Sequence, residues 1–119
     1  MLNLDTHILV HALAGELTTR ERGLLASEPW SISAIVLWEL AKLQELGRIS
    51  LDIHSVEFAR ALSRIQVWDL NLAVCRALKD LDFQSDPADE VIAATSLVHN
   101  VPLVTRDRRI RSSRIVPLA

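Results

Sequence analysis

At 119 residues, half of them apolar and 24% charged, with three Gly, four Pro and one Cys, the chain is expected to form a single domain over residues 1–119 and to bury roughly two-thirds of the surface its unfolded form exposes. This composition excludes a disordered chain, and no apolar run reaches the roughly 18 residues that a membrane-spanning helix needs. The opening MLNLDTH lacks the basic start of a signal peptide, so a cytoplasmic protein without membrane contact or disulfides is expected. A net charge of −2 argues against bulk electrostatic binding to nucleic acid.

In chain order, Met1–Leu4 reads as a short buried strand running into a helix from Thr6 to Ala14 that Gly15 ends. Thr18 or Thr19 can cap a second helix through about Ser27, with Glu21 placed to support its first turn, and Pro29 stops it. Trp30–Ser33 follows as a strand, and Ala34–Leu46 as an apolar helix ending at Gly47. His54 or Ser55 begins a helix whose Val56, Ala59, Leu62 and Ile65 share a face. Gln66–Leu70 reads as a strand, Asn71 caps a helix to about Leu81, and the DPAD segment opens a helix lasting to about His99. Pro102–Thr105 and Arg114–Pro117 read as two last strands. Strands separated by helices predict an α/β fold with a parallel sheet covered on both faces. The lone Cys75 reads as a small core residue, and core packing accounts for Trp30 and Trp38.

Four acids fall where such a chain converges. Asp5 follows the first strand, Glu39 sits at the edge of an apolar helix stripe, Asp89 opens a helix and Asp107 follows Leu103-Val104-Thr105. Each has an ordinary explanation: Asp5 and Asp86 as helix caps, Asp89 as half of a capping pair, Asp107 as a turn acid among arginines. Glu39 is the hardest to explain as surface, because a carboxylate beside Ile35, Val36 and Leu43 is partly desolvated. Carboxylates gathered in one crevice repel each other unless a cation intervenes, and oxygen ligands without Cys suit Mg²⁺ or Mn²⁺. His7 and His11, spaced i and i+4, raise a Zn²⁺ site, but no third ligand accompanies them.

The segments LDTHILVHALAG at 4–15, ISAIVLWELAKL at 32–43, DPADEVIAAT at 86–95 and LVTRDRRI at 103–110 together resemble the PIN-domain ribonucleases, in particular the VapC-type toxins of type II toxin–antitoxin pairs. The resemblance implies a three-layer α/β/α sandwich around a five-stranded parallel sheet. It also implies a four-carboxylate site that holds Mg²⁺ or Mn²⁺ and hydrolyses RNA phosphodiester bonds, leaving a 5′-phosphate and a 3′-hydroxyl. In that site Asp5 and Asp89 are the main direct ligands, Asp107 a further ligand through water, and Glu39 a ligand or the base for the attacking water. The family's third acid precedes an apolar-Ile-Ala-Ala stretch, which selects Asp89 over Asp86, leaving Asp86 as a supporting acid. Where many relatives have Arg after it, this chain has Glu90.

Thr6, Ser33 and Thr105 match hydroxyl positions that support the acids, and Arg106, Arg108, Arg109 and Arg111 are candidates to guide RNA. Expected partners are the RNA substrate, a second copy in a homodimer, and an antitoxin with a DNA-binding domain in a toxin–antitoxin hetero-oligomer. The competing readings are a PIN nuclease of RNA processing or DNA cleavage, a receiver-like signalling domain, and a non-catalytic binding module. The receiver reading lacks the Lys it needs near the last strands, where arginines stand instead.

Overall fold

A computed structural model describes residues 1–119. Four parallel strands, β1 (Leu2–Leu4), β2 (Trp30–Ser33), β3 (Gln66–Trp68) and β4 (Leu103–Val104), lie in the order β3-β2-β1-β4. Seven helices connect and flank them: α1 (Thr6–Ala14), α2 (Thr19–Ser27), α3 (Ala34–Glu45), α4 (Val56–Leu62), α5 (Leu72–Ala77), α6 (Pro87–His99) and α7 (Arg108–Arg111), with a 3-10 turn at Leu78–Asp80. No helix is long and apolar enough to cross a membrane.

Strand side chains alternate between sheet faces, yet Leu2, Asn3 and Leu4 are all buried, as are Ser31, Ile32 and Ser33. Both faces of β1 and β2 are therefore covered, as parallel crossovers require. On one face Asn3 donates Nδ2 to the Ser96 hydroxyl at 2.9 Å and to the Ile92 carbonyl at 3.3 Å on α6. The main core joins Leu2 and Leu4 to Ile8, Leu9, Ile32, Val36 and Leu40, and a smaller one joins α5 to α6 through Val74, Ala77, Val91 and Ala94.

The expected fifth strand at Arg114–Pro117 is reduced to one parallel bridge between Leu103 and Leu118. Leu103 donates to the Pro117 carbonyl and Ala119 to the Leu103 carbonyl, but Pro117 has no N–H with which to extend a ladder. Strand β3 stops at Trp68, short of the expected Leu70. The helix after Asn71 ends at Ala77 and tightens into the 3-10 turn before Leu81.

Two expected core residues stand outside. Cys75 is exposed, because the six-residue α5 turns Val74 and Ala77 inward and leaves Cys75 on another face. Trp38 is 56% exposed, because it lies two residues from each of the buried Val36 and Leu40 and so points about 200° away around α3. Trp30 is half-buried, with its indole N–H donating to the Leu25 carbonyl.

Candidate active site

The strands end at one edge of the sheet, where α1 and α3 begin, so that edge collects whatever follows β1 and β2. Asp5 follows β1 directly and is 1% exposed. Its Oδ1 accepts the Thr6 backbone N–H at 2.8 Å, capping α1, and its Oδ2 accepts the Thr105 hydroxyl at 2.6 Å. The same Thr105 oxygen accepts the Asp107 backbone N–H at 3.0 Å. One hydroxyl thus joins the acid after β1 to the acid after β4.

Glu39 comes from α3, about one and two-thirds turns after its Ser33 cap, and its Oε1 accepts the Thr6 hydroxyl. Asp89 sits in the first turn of α6, with Oδ2 accepting the Ser85 hydroxyl at 3.0 Å. Asp5, Glu39 and Asp89 line one cleft of about 440 Å³ together with Thr6, His7 and Arg48. Burial raises the carboxyl pKa of both Glu39 and Asp89, and the negative charge of neighbouring acids adds to it: Asp89, Asp5 and Asp86 for Glu39, and Asp5, Asp107 and Asp86 for Asp89. Asp107 acts on Asp89 by charge, contributes no surface to the cleft, and caps α7 by accepting the backbone N–H groups of Arg109 and Ile110.

The remaining residues divide by what they touch. Thr6 and Thr105 each donate to an acid, whereas Ser33 accepts the Ile35 N–H as the cap of α3. Asp86 begins α6 without a side-chain capping bond and is exposed. Glu90 turns back to accept the Ser85 N–H at 2.9 Å, closing the loop before α6. His7 is engaged through Nε2, which accepts the Arg106 N–H at 3.1 Å, with Nδ1 3.7 Å from Asp5. His11 faces Glu16 at 3.3 Å.

The four arginines differ. Arg106 forks onto Glu21, donating Nε at 2.8 Å and Nη2 at 2.7 Å. Arg109 donates to the Gln84 carbonyl and Arg111 to the Thr105 carbonyl, while Arg108 is exposed at the start of α7. Sequence reasoning passed over Ser85, Glu21 as the partner of Arg106, and Arg48. Only Ser85 had a signal, a hydroxyl four residues before Asp89 in the loop that opens α6.

The donor chemistry fits a hard divalent cation: three carboxylates share one cleft, no thiolate joins them, and two of them carry charge that burial and their neighbours disfavour. No three of the chain's His, Cys, Asp or Glu side chains stand at the spacing of a closed ion cage.

Fold and cleft together define a small α/β domain that gathers carboxylates at the C-terminal ends of parallel strands. The chain belongs to the PIN domain family, which matches residues 3–114. It is 37% identical over 87 residues to Ribonuclease VapC22 of Mycobacterium tuberculosis, across 71% of this chain and 67% of that protein. Among solved structures it resembles VapBC2 from Rickettsia felis bound to a DNA fragment from their promoter, with a TM-score of 0.74 and 22% identity over 100% of this chain and 98% of that one. DNA-bound VapBC from Salmonella typhimurium gives a TM-score of 0.69 and 21% identity, over 100% and 98% of the two chains. These two likenesses establish the fold.

Proposed function

We propose that the chain is the toxin of a type II toxin–antitoxin pair, a Mg²⁺- or Mn²⁺-dependent endoribonuclease of the cytoplasm. The observation that carries this reading is the convergence of Asp5, Glu39 and Asp89 from three elements on one cleft, in a chain 37% identical to a ribonuclease. When bound, the divalent ion supplies Lewis-acid stabilisation of the charge that develops on the phosphate during hydrolysis.

The chain's own residues divide the remaining work. Asp5 and Asp89 would hold the ion, Asp107 would support it, and Glu39 would either join them or take the proton of the attacking water. The raised pKa of Glu39 suits the last role, since a base works best with a pKa nearer the operating pH. Thr6 and Thr105 fix the orientation of Glu39 and Asp5 through their hydroxyls.

RNA would enter along α1. Helices α1 and α3 both leave the strand-end edge, so their C-terminal ends, where Ala14 and Arg48 stand, form the other end of the cleft. That end lies about 10 Å from His7 at 1.5 Å per residue of α1. The ion pairs of the chain join Met1 to Glu28, Lys42 to Glu45 and Arg106 to Glu21, while His7 lies beside Asp5 and His11 beside Glu16. Arg48 is therefore left without a carboxylate partner and available to a flanking phosphate, with Arg108 a second candidate outside the cleft.

A homodimer and an antitoxin partner belong to the same proposal. The antitoxin is supported by the VapBC structures that the chain resembles, and both partners by the exposed Trp38 and Leu46 of the α3 region. Incubating the purified protein with RNA and Mn²⁺, then mapping product ends, tests the activity. Products with 5′-phosphate and 3′-hydroxyl ends are expected, and 2′,3′-cyclic phosphate ends would contradict attack by water on phosphorus.

A further inference from the structure

We propose that Glu21 is a positioning residue for the acid site: through Arg106 it fixes the Thr105–Asp107 segment, and with it the placement of Asp5 and Asp107. The proposal rests on the reading of those acids as a divalent-ion site. Its starting point is a carboxylate on α2, a helix that lines no part of the cleft, that is only 7% exposed.

A capping box alone does not require that arrangement. Thr18 accepts the Glu21 N–H and Glu21 Oε1 accepts the Thr18 N–H, which occupies one carboxylate oxygen. Both oxygens also receive Arg106, Oε1 from Nη2 and Oε2 from Nε, giving the planar two-point fit that an ammonium cannot reproduce. Glu21 is thereby held to its own helix and to residue 106 at once.

Strand β4 ends at Val104 and α7 begins at Arg108, so residues 105–107 lie outside regular structure. Thr105 donates to Asp5 and its carbonyl accepts Arg111; the Arg106 N–H donates to His7 and its side chain to Glu21 and the Glu16 carbonyl; and Asp107 donates its N–H to Thr105 while its carboxylate caps α7. The others tie the segment to the β1–α1 junction, to the Glu16 carbonyl, to α7 or to itself, and the two-point Glu21 contact is the one that ties it to α2. Releasing it removes the tie to α2 and loosens the placement of Thr105 and Asp107 against Asp5, and a shift of that kind is what weakens ion binding. The guanidinium of Arg106 accordingly serves the scaffold and is not offered to RNA.

The test titrates Mn²⁺ against wild type, Glu21→Gln, Arg106→Ala and Arg106→Lys, reading the Mn²⁺-induced rise in melting temperature without RNA, and separately kcat and KM for RNA cleavage. Glu21→Gln keeps the cap acceptor and loses the charge. It is expected to raise the Mn²⁺ midpoint in both readouts by roughly 10- to 100-fold, the range for residues that orient metal ligands, with KM for RNA at saturating Mn²⁺ unchanged. Arg106→Ala should match it and Arg106→Lys fall between, which decides the matter if Glu21→Gln fails to fold. A Glu21→Gln protein that melts earlier without metal but keeps the wild-type Mn²⁺ midpoint would overturn the proposal. So would an Arg106→Ala protein with an unchanged midpoint, a raised KM and a shallower salt dependence, since that marks a phosphate contact. A wild-type protein that Mn²⁺ neither stabilises nor activates would overturn the metal-site reading itself, and this inference with it.

Discussion

Thr105 donates its hydroxyl to the buried carboxylate of Asp5 at 2.6 Å, across one hundred residues of sequence. This bond ties the end of β4 to the end of β1, two strands that are neighbours in the sheet. Replacing Thr105 by Val keeps the shape and removes the donor, leaving a buried carboxylate oxygen short of a partner. Hydrogen bonds to charged groups contribute about 1.5–3 kcal/mol, so Thr105→Val should lower unfolding free energy by that order in urea titration. Thr105→Ser should recover most of it.

The acids make opposite contributions to pH dependence. Glu39 and Asp89 have folded-state pKa values above their ordinary 4.5 and 3.8, so the folded state binds more protons, and without metal stability falls as pH rises through the interval above those values. Glu21 has its pKa lowered from 4.5 to about 2, chiefly by its hydrogen bonds from Arg106, and its contribution is present above 4.5 and lost as pH falls toward 2. Metal-free melting temperature should therefore rise on acidification from pH 7, then fall below about 4.5, where Glu21 of the unfolded chain takes up a proton that the folded chain refuses until about pH 2. In Glu39→Gln the first rise should shrink while the acid-side fall remains.

Asp5 and Asp89 should respond differently to neutralisation, because one is satisfied and the other strained. Asp89→Asn removes a charge that burial and three neighbouring acids disfavour, and should raise the metal-free melting temperature at neutral pH. Asp5→Asn places an amide where one oxygen caps α1 and the other accepts Thr105, and should lower it. Calorimetry on both variants in chelator checks the two signs.

Arg48→Ala should leave kcat and the Mn²⁺ midpoint unchanged and raise KM for RNA. The slope of log affinity against log salt should shrink by about 0.7, the value for one phosphate contact on a single strand. Binding measured across a salt series decides it, and an unchanged slope would remove Arg48 from the RNA path.

Much of this arrangement was legible in local sequence. Strands and helices alternated clearly enough to yield the parallel sheet, Gly15 and Gly47 marked helix ends with φ of 72° and 70°, and Thr18 with Glu21 announced the capping box. Helix α7 was not legible, because four residues carrying three arginines have no apolar period to read, and its cap Asp107 reads equally well as a turn acid. Cys75 and Trp38 were misassigned because hydrophobic character was read without the helix face, which only the buried neighbours define. The Glu21–Arg106 pair spans 85 residues, and nothing local connects them. Arg48 carries no local signal, since what distinguishes it is the cleft formed when α1 and α3 run side by side.

Cleavage of a defined RNA by the wild-type protein and by Asp89→Asn, each with and without Mn²⁺, bears most directly on the carboxylate site. Mn²⁺-dependent cleavage by the wild type, with loss of at least the bulk of that activity in a variant that melts no lower, is the predicted result. Full Mn²⁺-dependent activity in folded Asp89→Asn would contradict it.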